Sequence, residues 1–141
     1  MSRDDDPQSG ASSALEFLVS HTDTAIALGS GDLPVLATPR VIAWCESACV
    51  QALELADTKT SVGTRVEMEH VSASVVGTAI SVKAVVSYVD GRLVRFDVVA
   101  EQIADGPTDI SVGDSANPVR RIAHGSMTRV IVDRERFMAR L

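Results

Sequence analysis

The feature that most restricts this chain is a single change of period. Residues 38–56 repeat apolar side chains at helical spacing, and from residue 61 onward the repeat is two. Thr38-Pro39 opens the helical stretch with a side chain able to cap free N–H groups and a proline suited to a first helical position. At about 100° per residue, Arg40, Ser47, Gln51 and Glu54 gather in a narrow polar stripe. Opposite them lie Val41, Cys45, Ala48, Ala52 and Ala56, a face of mostly small side chains that can sit very close to a sheet.

The period-two region supplies that sheet. Residues 61–71 turn Val62, Thr64, Val66, Met68 and His70 to one face, and Arg65, Glu67 and Glu69 to the other. Residues 78–89 alternate Ile80, Val82, Ala84, Val86 and Tyr88 against Lys83 and Ser87. Asp90-Gly91 is a strong hairpin signal, so 92–103, with Val94, Phe96, Val98 and Ala100 on one face, returns antiparallel to it. A polar loop at 105–118, expected to be mobile, leads to a last long strand at 119–132, and 134–141 can add a helical turn. Before the helix, residues 15–19 read as a first strand, which 25–28 extends or follows, and Gly29-Ser30-Gly31-Asp32 as a loop. One strand, one buried helix and four strands in antiparallel succession describe an α+β protein: a single sheet of about five strands wrapped on one central helix. Val85, Val89, Leu93 and Val99 fall on the sheet's other face and call for a second cover, which a homodimer would supply.

At 141 residues the chain fits one domain, over 13–141, preceded by a disordered acidic lead-in at 1–12. The formal charge of -6 argues against nonspecific nucleic-acid binding. No apolar run approaches the roughly 18 residues of a membrane span, and the lead-in lacks the order of a signal peptide. Cys45 and Cys49, one helical turn apart, read as reduced core thiols in a cytoplasmic protein rather than as a disulfide or metal ligands. From Asn117 onward arginines outnumber acids, either as a solvated face or as a landing site for the phosphates of an anionic cofactor.

Three polar residues stand where chemistry could use them. Glu46 lies between the two helix faces, beside Ile42 and Leu53; it is either a poorly solvated functional carboxylate or a rim group whose head reaches water. His70 shares the inward strand face, as a satisfied core histidine or a proton carrier with an ordinary pKa near 6.5. Thr38 is a plain cap or part of a site. His21 and His124 have no evident partner and read as surface or strand residues. There is no Gly-rich phosphate loop, serine nucleophile elbow or zinc helix motif.

The stretches LPVLATPRVIAWCESACVQAL and SVGTRVEMEHVSA, with DGRLVRFDVVA and RVIVDRERF downstream, resemble the hotdog thioesterases typified by fluoroacetyl-CoA thioesterase. The specific part is a Thr at the helix start, a Glu eight residues later, and a His six residues after the Thr of Ser-Val-Gly-Thr. The resemblance implies a hotdog fold and hydrolysis of an acyl-CoA thioester, with Thr38, Glu46 and His70 as the catalytic triad. Glu46 would act as nucleophile or base, His70 would shuttle protons, and Thr38 would orient the carboxylate. Gly63 would lie beside the thioester, and Arg129 matches an arginine of the family's last strand. Coenzyme A enters as part of the substrate; no separate cofactor or metal is implied. Residues 33–36 offer no aromatic, so nothing favours a fluorinated acyl group. The alternatives are a hotdog protein that sequesters acyl-CoA without turnover, and an enoyl-thioester hydratase.

Overall fold

The computed structural model describes residues 7–103 and 119–141. Strand β1 (Ser12–Leu18) leads through a single helical turn, α1 (Ala25–Leu28), to the central helix α2 (Thr38–Leu53). Four strands follow, β2 (Lys59–His70), β3 (Ala79–Asp90), β4 (Leu93–Gln102) and β5 (Arg120–Asp133), and a short helix α3 (Arg134–Ala139). They form one antiparallel sheet in the order β1-β3-β4-β5-β2. The α+β hotdog arrangement is therefore present: a five-stranded sheet curls around one helix. Its strands are not in simple succession, because β2 crosses to the far edge beside β5 and, among the described residues, leaves its outer side unpaired.

Small side chains let the helix nest in the sheet. Val41, Cys45, Ala48 and Cys49 are fully buried against Val82, Val86, Phe96 and Ile122. Phe17 of β1 stacks flat on Trp44 of α2, ring centroids 4.4 Å apart, and ties the opposite sheet edge to the helix. The helix stops at Leu53, where Glu54 takes a left-handed conformation (φ 48°), so Ala56 falls outside it and is exposed.

Two bulges rephase the strands. A register shift between Val86 and Tyr88 turns Tyr88 outward and brings Val89 against the core, the reverse of what strict alternation predicts. A second shift lies between Gly63 and Arg65 in β2. Before it Lys59, Ser61 and Gly63 face the helix; after it Val66, Met68 and His70 do. The expected inward placement of Val62 and Thr64 is thus incorrect, while that of His70 holds.

At the N-terminus, Gly10 and Ala11 exchange backbone hydrogen bonds with Val86, and Ser12 begins β1, so the ordered chain reaches into the expected lead-in; residues 1–6 lie outside the described residues. The polar loop at 105–118 also lies outside them. Among the described residues no helix is long and apolar enough to cross a membrane.

Candidate active site

The helix start and the end of β2 meet at one corner. Ala37, not Thr38, is the N-cap of α2, and its side chain caps nothing. Thr38 is the first helical residue, and its hydroxyl is free for another partner: Thr38 Oγ1 lies 2.7 Å from His70 Nδ1. Burial pushes the His70 pKa below its usual value, with the Ser72 backbone opposing in part. A neutral imidazole follows, and its Nδ1 accepts the Thr38 O–H when the proton sits on Nε2. Nε2 itself is buried without a hydrogen-bond partner among the described residues. The pair lines a depression of about 280 Å³ together with Val35, Leu36 and Ala73.

Glu46 belongs to a different cluster. Its Oε2 lies 3.4 Å from Arg129 Nη1, and the carboxylate side chain is 37% exposed against 11% for the arginine. The deep desolvation suggested by its apolar neighbours is therefore absent in a single chain. Arg129, across the sheet from Gly63, is held on its other side by Ser61: Nε donates to Ser61 Oγ at 2.8 Å and Nη2 to the Ser61 carbonyl at 3.0 Å. Five donors in a rigid fork suit this double task of clamping Ser61 while aiming one N–H at a carboxylate. Gly63 leaves the space they need, since a Cβ there would come within 2.9 Å of Glu46 Oε2 and 3.2 Å of Arg129 Nη1. These groups, with Leu15, Ser47 and Val50, border a cleft of about 700 Å³ open to solvent.

Within one chain the five expected residues fall into two sets, Thr38 with His70, and Glu46 with Gly63 and Arg129. Eight helical residues separate Thr38 from Glu46, about 12 Å of axis, and seven strand residues separate Gly63 from His70, about 23 Å. The expectation that Thr38 holds the Glu46 carboxylate is not met in the chain by itself; its hydroxyl goes to His70. Ser61 was not singled out from sequence. Its signal was its parity with Gly63, which the bulge hid. Cys45 and Cys49, facing the core, have thiols pushed up to about 12, mainly by burial, which makes them packing groups and poor nucleophiles. His124 does have a neighbour, Glu69, at 3.7 Å on the outer sheet face.

Residues 19–135 match the family model described as FlK, fluoroacetyl-CoA-specific thioesterase. No curated protein matches the sequence. The solved fluoroacetyl-CoA thioesterase FlK superposes with a TM-score of 0.76 at 25% identity, over 94% of this chain and 93% of that one. A variant of FlK in complex with fluoroacetate and CoA superposes at 0.74 with 25% identity, over 92% and 98% of the two chains. A hot-dog-like protein from Thermanaerovibrio acidaminovorans, 20% identical, shares the fold at 0.76 over 95% and 90%. Because the family match runs through the central helix and all of β2 to β5, this chain belongs to the FlK thioesterase family and is a hotdog-fold thioester hydrolase.

Proposed function

We propose that the protein hydrolyses an acyl-CoA thioester at a composite site formed between two copies of the chain, with Thr38 and His70 from one and Glu46, Gly63 and Arg129 from the other. The observation that carries this reading is the position of the two sets on an unpaired edge. Both border β2, whose residues 63–67 are exposed, and an exposed edge of this length invites another strand. Antiparallel pairing about a two-fold axis near Val66 and Glu67 sets each His70 across from the copy's Gly63. A carboxylate and an imidazole too far apart in one chain then share one cleft, and the second copy screens the exposed Glu46 from water.

The chemistry follows from the groups. Glu46 attacks the thioester carbonyl or draws a proton from water as it attacks; Arg129 holds the carboxylate in place. The Gly63 backbone borders the carbonyl, and the positive end of the α2 dipole favours the oxyanion. His70, steered by Thr38, relays the proton taken from water to the departing CoA thiolate, and where Glu46 is the nucleophile that same water then opens the acyl–Glu46 anhydride and frees the acid. Two buried free thiols suit a reducing, cytoplasmic setting.

A panel of short and medium acyl-CoA esters, followed by thiol release, tests the reaction. Release with at least one ester supports it; binding without release from any ester overturns it. Sedimentation reads the dimer, and a monomer that retains full turnover overturns the shared site.

A further inference from the structure

We propose that the cleft beside Glu46 continues as a track for a neutral, straight aliphatic acyl chain of about six to eight carbons, running across the open face of α2 from β2 to β1. The track deepens the acyl-CoA reading above and rests on it. β2 and β1 are the two edges of the curled sheet, and between them α2 presents Ser47, Val50 and Gln51 exposed. At about 100° per residue, Glu46, Val50, Ala43, Ser47 and Gln51 follow one another around about 140° of that face. Glu46 stands against Gly63 at the β2 end. At the other end Gln51 Nε2 donates to Ser13 Oγ of β1 at 2.7 Å, a clasp that bars the cleft on that side.

The lining decides what the track can hold. Leu15, Ala43 and Val50 give it apolar walls, and a methylene chain laid on them takes apolar surface of both partners out of water. The charged groups of the cleft are already engaged: Glu46 and Arg129 face each other at 3.4 Å, and Ser61 holds the rest of the arginine. The Gln51 amide is taken by Ser13. Among the described residues no free cation lines the cleft to meet a carboxylate at the far end of the chain, which leaves a neutral one. Length follows from the helix: about 140° on a cylinder of ordinary helix width is about 12 Å, and after a van der Waals contact at the clasp an extended chain of about six to eight carbons fills it. Ser47, small and midway, is the residue that leaves the path open.

Thioethers of CoA, which cannot be hydrolysed, test the track on the full chain without turnover. In calorimetry, affinity should rise about threefold per methylene from S-methyl-CoA to S-octyl-CoA and level off beyond. Ser47→Phe, which puts a ring in the path from an exposed helix position, should cut the S-octyl to S-methyl affinity ratio about a hundredfold at unchanged circular dichroism and sedimentation. Gln51→Ala, which removes the clasp, should let the rise continue to longer chains. A flat profile in the native protein, or an undiminished ratio in Ser47→Phe, overturns the track; a plateau that Gln51→Ala leaves in place overturns the clasp as its end. Because thioethers report binding alone, length-dependent affinity with no thiol released from any acyl-CoA ester sinks the hydrolase reading and keeps the track, and a flat profile beside thiol release does the reverse.

Discussion

Two turns of one helix separate groups of opposite character. At its start, Thr38 and His70 form a neutral hydrogen-bonded pair with the imidazole half buried. At its middle, Glu46 is a partly exposed anion set against a buried, clamped cation. Within one chain the separation leaves two preformed halves, an imidazole oriented by a hydroxyl and a carboxylate held by a guanidinium, and neither half carries the whole set that thioester cleavage needs. Assembly then brings together what one chain holds apart.

The comparison breaks or stands first on the largest effect. Glu46→Ala and His70→Ala should each lower kcat by about a thousandfold or more while melting remains cooperative. Mixing the two inactive variants after unfolding and refolding should restore about a quarter of native activity, since half the dimers are mixed and each has one intact site of two. No recovery on mixing would assign both sets to a single chain. Thr38→Ala should cost about a hundredfold in kcat and Thr38→Ser much less, because serine keeps the hydroxyl that faces Nδ1; equal losses would deny the hydroxyl its part.

Gly63→Ala sharpens the other half. Its methyl would meet the flexible end of Glu46 at 2.9 Å and the clamped Arg129 guanidinium at 3.2 Å, so the carboxylate gives way, and the protein should fold normally and lose about tenfold in kcat. The smallest effect is in pH. The folded pKa of His70 lies below the unfolded value of 6.5, so the unfolded chain takes up the proton first. Its contribution to stability is complete above 6.5 and is lost as pH falls through the lowered folded value. An NMR titration of the imidazole should place its midpoint below 6.5, and the stability gap between native protein and His70→Gln should narrow on acidification.

Much of the fold was legible because it rests on local pattern. The helix at 38–53, the hairpin at Asp90-Gly91 and the inward residues of β4 follow from periodicity and turn chemistry alone. The misreadings have one cause. An extra residue in β2 and another in β3 inverts the alternation, and a bulge leaves no mark in a string of Val, Thr and Ser. That is why Val62, Thr64 and Tyr88 were turned the wrong way and Ser61 was passed over, and why Val89 was taken for an outward residue.

The candidate site divides the same way. Identity of residues and the spacing of Thr38, Glu46 and His70 come from the chain's own order, since a side chain's chemistry and its phase on a helix or strand are local properties. Which of them touch is not local. The pairing of Thr38 with His70, the clamp of Ser61 on Arg129 and the isolation of Glu46 all depend on β2 crossing to the sheet's far edge and bulging at Gly63. Only packing, which weighs every long-range contact at once, selects that register.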